Sequence, residues 1–277
     1  MEKETQRVVV KVGTSTLTHN SGAPDLRRME RLARVLSDLH GAGYEVILVF
    51  SGAIAAGTAR LGLTERPREL RMKQAAAAVG QCRMTHIFDQ FFSEYNQSVA
   101  QILLIGDDVD DPSRAEHLRG TFSALLEMGV IPLVNENDSV SSAEIETGHH
   151  KVLGDNDTLS AIVAELCGAD LLVLLSDIDG LYDADPKTHR SAKLLHRVTE
   201  LTPEILEMAG GAGTWRGTGG MATKLAAARR AMAAGCDMVI TNGARMEDLY
   251  GILEGRDIGT RFIAGPRRVN SGLKPER

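Results

Sequence analysis

Short runs of aliphatic and β-branched residues recur along the chain, separated by longer stretches in which apolar positions return every three or four residues. Arg7-Val8-Val9-Val10-Lys11-Val12 is the first such run and predicts a strand, closed by Gly13-Thr14-Ser15. From Asp25 to Leu39, Leu26, Met29, Leu32, Leu36 and Leu39 share one helical face, and Gly41 and Gly43 end that helix. Glu45 to Phe50 is the next strand, closed by Ser51-Gly52-Ala53. The pattern continues with a helix over 71–94, a strand over 101–105, a helix over 113–128 and a strand over 130–134 that runs into Asn135-Glu136-Asn137-Asp138. A helix over 156–166, a strand over 171–175 ending in Ser176-Asp177, a helix over 221–234 and a strand over 237–241 complete the series.

Strands that are apolar on both faces and separated by helices must be covered on both sides. The expected architecture is therefore α/β, a three-layer αβα sandwich around a mainly parallel open sheet. At 277 residues the chain is long for one average domain, but no linker rich in Pro, Ser or Gly divides it. One domain over 1–264 is expected, followed by a loose polar tail over 265–277. Three irregular stretches, 139–155, 178–193 and 210–220, are longer than ordinary connections, and such loops tend to carry function.

Composition narrows the functional classes. The formal net charge of −6 argues against nucleic acid as a partner, since phosphate backbones need a basic face. No segment approaches the roughly 18 apolar residues of a membrane span, and the charged N-terminus has no apolar stretch behind it, so no membrane partner and a cytoplasmic location are expected. Cys82, Cys167 and Cys236 are far apart and form no CxxC pair, which reads as small buried hydrophobes in a reducing compartment. His149-His150 is adjacent but lacks further Cys or His at ligand spacing, so no metal site built by the protein alone is expected.

Candidate chemistry gathers where the strands end, the edge at which open α/β sheets bind ligands. Any one of these ends could be an ordinary turn, but four along one edge are better explained as a site. Lys11 interrupts a buried-looking strand, where a charge is costly unless paired. It could be an edge or snorkelling lysine, or a cation aimed at a phosphate with Gly13 and its neighbours exposing backbone N–H groups. Gly210 to Gly220 is glycine-rich and precedes Met221-Ala222-Thr223-Lys224 at the start of a helix. This could be a flexible surface loop, or a close backbone approach to a phosphate at a helix N-terminus. It matches neither a Walker A motif nor a dinucleotide fingerprint. Asp155 or Asn156 could simply cap the following helix. With Asn135 to Asp138 nearby in type, the same residues could hold a substrate ammonium group or Mg²⁺ carried by phosphates.

In this order, Val9 to Ser15, Val49 to Gly57 (with Ser51-Gly52-Ala53), Asn135-Glu136-Asn137-Asp138, Gly154-Asp155-Asn156-Asp157, Ser176 to Tyr182 and Gly217-Thr218-Gly219-Gly220-Met221-Ala222-Thr223-Lys224 resemble the amino-acid kinase superfamily, and within it the glutamate 5-kinase family. The match runs from about residue 7 to about residue 262. The resemblance implies transfer of a phosphoryl group from ATP to the side-chain carboxylate of L-glutamate, the first step toward proline. It implies Lys11, Lys224 and Asp157 as catalytic residues, with Asp157 orienting both lysines. Glutamate would lie near Ser51, Asp138 and Asn156, the α-ammonium on Asp138 and carboxylate oxygens on Ser51 and Asn156. Lys11, Gly13, Ser176, Asp177 and the run Thr218, Gly219, Gly220, Met221, Ala222, Thr223, Lys224 would hold the nucleotide, with Mg²⁺ as cofactor. ATP and L-glutamate are the implied partners, with proline as feedback inhibitor and other copies of the chain in a homo-oligomer.

The C-terminal PUA domain common in bacterial members is expected to be absent, and the 139–151 stretch looks longer than usual. Another acceptor in the same superfamily (acetylglutamate, aspartate, carbamate or uridylate) is the nearest alternative. A non-catalytic sensor has little need for two lysines, and an oxidoreductase lacks the early glycine fingerprint.

Overall fold

The computed structural model describes residues 6–140, 155–186, 188–189, 191–208 and 220–265. Along these, the elements are β1 (Arg7–Val12), α1 (Thr14–Leu17), α2 (Leu26–Gly41), β2 (Glu45–Phe50), α3 (Ala53–Arg60), α4 (Leu70–Glu94), β3 (Val99–Leu104), α5 (Gly106–Asp110) and α6 (Pro112–Glu127). They continue with β4 (Ile131–Glu136), α7 (Asn156–Cys167), β5 (Leu171–Ser176), β6 (Arg197–Val198), α8 (Pro203–Met208), α9 (Met221–Ala233), β7 (Asp237–Asn242), α10 (Asp248–Leu253) and β8 (Thr260–Phe262).

The strands form one sheet in the order β3-β4-β2-β1-β5-β7-β8-β6. Every pairing is parallel except β7 with β8. β1 is therefore central, flanked in register by β2 and β5, with Lys11 between Val49 and Leu174. That removes the edge-strand explanation for Lys11. Because side chains alternate along a strand, Val8, Val10 and Val12 pack on one face against Met29, Leu32 and Leu36 of α2 and Met84 and Phe88 of α4. Val9 turns to the other face, among Leu159 and Val163 of α7 and Leu225 and Ala228 of α9. Lys11 has the parity of Val9, so its stem is committed to the layer that contains α7 and α9.

The helices begin where their sequences supply caps. Asp25 accepts from the Arg28 N–H, and Asp111 accepts from Ser113 and Arg114, with Pro112 in the first turn of α6. Asp155 accepts from the backbone N–H groups of Asp157 and Thr158 at 2.7 and 2.9 Å and thereby starts α7. The 266–277 tail, His149-His150 and the 141–154 and 209–219 parts of the long loops lie outside the described residues. Cys167 and Cys236 are buried, but Cys82 is exposed, because α4 turns that position away from the sheet.

Candidate active site

The carboxyl ends of β1, β2 and β5 open onto a cleft of about 530 Å³. Lys11, Gly13, Ser51, Asn156, Asp157, Ser176, Asp177 and Lys224 all line it. Spread along the chain from Lys11 to Lys224, these residues meet because strand ends and the first turns of α7 and α9 converge on the same edge.

Asp157 sits at the centre. It is 1% exposed, and its two oxygens divide between two lysines: Lys11 Nζ donates to Oδ1 at 2.5 Å and Lys224 Nζ donates to Oδ2 at 3.1 Å. The Thr223 hydroxyl also donates to Oδ2, at 3.0 Å. Burial, the largest single influence, raises the Asp157 pKa, but the charges and hydrogen bonds of Lys11 and Lys224 together hold it below the ordinary carboxylate range. Both lysines that share this carboxylate line the cleft, so their ammonium groups stand at its wall.

On the β2 side, Gly52 adopts φ +108°, a left-handed conformation that a Cβ would strain, and this lets the chain turn sharply from Ser51 into α3. Asn156 lies beside that turn. Its Nδ2 donates to the Phe50 carbonyl at 2.7 Å and to Asn135 Oδ1 at 2.9 Å. Both Nδ2 hydrogens of Asn156 are thus committed within the protein, while the residue itself lines the cleft as the sequence led one to expect. Asn135 is 2% exposed and serves this internal network rather than the cleft surface.

Asp138 follows β4, and its pKa is raised to about 6, first by burial and then by the neighbouring charge of Glu136, with Arg66 opposing. Arg66, on the connection between α3 and α4, lines the cleft. Sequence reasoning passed over Arg66 because it lies in a polar connection with no periodic or motif signal. Ser176 donates to Asp177 at 3.1 Å at the end of β5, and Gly220 to Thr223 form the start of α9. Thr218 and Gly219 lie outside the described residues. Among the described residues no group of three or more Asp, Glu, His or Cys could hold a metal ion. A divalent cation would fit here as a companion of phosphate oxygens, with Asp177 the cleft carboxylate available to face it.

Residues 6–242 match the amino acid kinase family. The chain belongs to that family. This amino acid kinase is 53% identical over 262 residues to a glutamate 5-kinase of Clostridium perfringens, across 95% of this chain and 97% of that one. It is 51% identical over 268 residues to a glutamate 5-kinase of Moorella thermoacetica, of which it spans 69%. A carbamate kinase from Giardia lamblia bound to AMP-PNP superposes with a TM-score of 0.65 at 18% identity, over 95% of this chain and 99% of that one, a likeness of fold. Among the described residues no helix is long and apolar enough to cross a membrane.

Proposed function

We propose that this chain transfers the γ-phosphoryl group of ATP to the side-chain carboxylate of L-glutamate, giving ADP and L-glutamyl 5-phosphate, the first step of proline biosynthesis. The observation that carries the reading is the double pairing of Asp157 with Lys11 and Lys224 in the wall of the cleft, in a chain half identical to glutamate 5-kinases over nearly its whole length.

The reaction forms a bond between a glutamate carboxylate oxygen and the γ-phosphorus, and breaks the bond from that phosphorus to the β,γ-bridging oxygen. The acceptor is already ionised at neutral pH, so no general base is required. What the reaction needs is alignment of two anions and neutralisation of the charge that builds on the transferring group. Lys11 and Lys224 supply that charge from two sides, and Asp157 fixes where their ammonium groups point. Ser176, Asp177 and the first turn of α9 hold the nucleotide, its phosphates meeting the N-terminal amides of α9. Asp177 would face a Mg²⁺ carried by the nucleotide phosphates, which would supply further charge neutralisation there. Asp138, which is not itself in the cleft lining but feels the charge of Arg66, takes the glutamate α-ammonium, and the Ser51 hydroxyl and Arg66, which line the cleft, take the α-carboxylate. Proline carries the same ammonium and carboxylate without the reacting side chain, which suits it to compete at this subsite as an inhibitor.

Incubation with ATP, Mg²⁺ and L-glutamate followed by hydroxylamine is expected to yield γ-glutamyl hydroxamate. ADP release with acetylglutamate, aspartate, carbamate or UMP but not with glutamate would overturn the assignment of the acceptor.

A further inference from the structure

Behind the glutamate side of the cleft runs a chain of side-chain amides that the proposed reaction does not use directly. Gln81 of α4 is 7% exposed and Asn135 of β4 is 2% exposed. Gln81 Nε2 donates to the Thr85 hydroxyl at 3.1 Å, and Asn135 Nδ2 donates to Gln81 Oε1 at 2.8 Å. Asn156 Nδ2 in turn donates to Asn135 Oδ1 at 2.9 Å and to the Phe50 carbonyl at 2.7 Å.

The direction of this relay is set by donor and acceptor matching. A backbone carbonyl only accepts, so the Asn156 amide must turn its nitrogen toward Phe50. The same nitrogen then needs an acceptor in Asn135. Asn135 can offer its oxygen only while its own nitrogen has an acceptor on the other side, and Gln81 Oε1 is that acceptor. Reversing Asn135 would set two N–H groups against each other at the Asn156 contact, and removing Gln81 would leave a buried donor unmet. Among the described residues no donor meets Asn156 Oδ1, and Asn156 lines the cleft together with Ser51.

We propose that Gln81 is a positioning residue for substrate recognition: through Asn135 it reinforces the Phe50 carbonyl in holding the Asn156 amide with its oxygen toward the cleft, where it accepts a hydrogen bond from the α-ammonium group of the acceptor amino acid. Asp138 supplies charge for that ammonium and Asn156 supplies direction. The inference deepens the proposed function and rests on it. It also gives the buried glutamine a consequence distinct from packing. Loss of Gln81 weakens only ligands that carry the ammonium group.

The test compares the wild type with Gln81→Met, which keeps the length of the side chain but cannot hydrogen-bond Asn135, and Gln81→Glu, which retains an acceptor for it. For each, KM and kcat are measured with L-glutamate, and glutarate, which lacks the ammonium, is measured as a competitive inhibitor. Gln81→Met is expected to raise the glutamate KM roughly tenfold, the scale of one hydrogen bond to a charged group. The glutarate inhibition constant and kcat should stay within about twofold, and Gln81→Glu should restore most of the loss. A parallel weakening of glutamate and glutarate, or no change in either, overturns the inference while leaving the function intact. The inference also falls if thermal melting attributes the effect to partial unfolding and Gln81→Glu gives no rescue. A wild type that does not phosphorylate glutamate overturns the function and this inference together.

Discussion

Asp157 is surrounded by charge of one sign, and its ionised form is favoured by that arrangement. Its folded pKa lies below the ordinary carboxylate value, so the group contributes stability above its unfolded pKa, and that contribution is lost as pH falls through the folded value. Asp157→Asn should therefore lower both stability and kcat, because Lys11 and Lys224 would lose the carboxylate charge that they share. Lys11→Ala and Lys224→Ala should each lower kcat by roughly 10²- to 10³-fold, the scale seen when one preorganised charge-stabilising donor is removed, with a smaller effect on the KM for ATP. Near-normal turnover in both variants would refute the two-lysine mechanism. Asp138 behaves in the opposite sense. Its folded pKa is raised to about 6, so its ionisation opposes folding above the ordinary carboxylate range, and the protonated form cannot pair with an ammonium. The KM for glutamate should rise as pH falls through about 6, while kcat at saturating glutamate changes less. A KM that stays flat as the solution is acidified through that value would remove Asp138 from substrate binding.

Among the elements, α3 and α4 approach each other closely. A Cβ on Gly80 would come within 1.7 Å of the Ala53 carbonyl oxygen, and one on Gly57 within 1.7 Å of the Ala76 carbonyl oxygen. These glycines let the two helix backbones touch, and so α4 fixes the start of α3, which is the turn carrying Ser51 and Gly52. Gly80→Ala should cost at least about 1–3 kcal/mol, the ordinary scale of overpacking, and should also raise the glutamate KM by displacing Ser51. Thermal melting and glutamate kinetics measure the two effects, and an unchanged melting temperature would mean that the helices part without strain. The long helices α2, α4, α6, α7 and α9 were legible within a few residues, because each repeats apolar positions at helical spacing. The short α3 was not, since Ala53 to Arg60 consists mostly of small residues with little polar contrast, and its packing against α4 decides its state. The antiparallel β8 was equally silent, being three residues long and stabilised by β7 and β6 rather than by its own pattern.

For the molecule as a whole, the cleft is assembled from both halves of the sheet, with Ser51 after β2 and Arg66 on the α3–α4 connection to one side and Ser176, Asp177 and Lys224, at the end of β5 and on α9, to the other. Ligands that bind only this assembled state should stabilise it. Glutamate at about a hundred times its dissociation constant should add about 2.7 kcal/mol to unfolding stability at neutral pH, and less under acidic conditions that protonate Asp138. Equal stabilisation at neutral and acidic pH, measured by thermal melting, would contradict that coupling.

The alternation of strands and helices, the sandwich that follows from strands apolar on both faces, and the small and polar residues at the strand ends were all written in the chain itself. These are local properties, set by side-chain period and turn chemistry. Which distant groups meet was settled only by folding. The central position of β1 and the parity of Lys11 send that lysine to the face of α7 and α9, so that Asp157 receives it together with Lys224. Folding also brought Arg66 into the cleft and joined the Asn156 amide to Phe50 and Asn135, and Asn135 to Gln81. Hydrogen-bond direction and charge neutralisation depend on groups within about 3 Å of each other. Residues that are neighbours at that distance here are far apart along the chain, where no periodicity can report them.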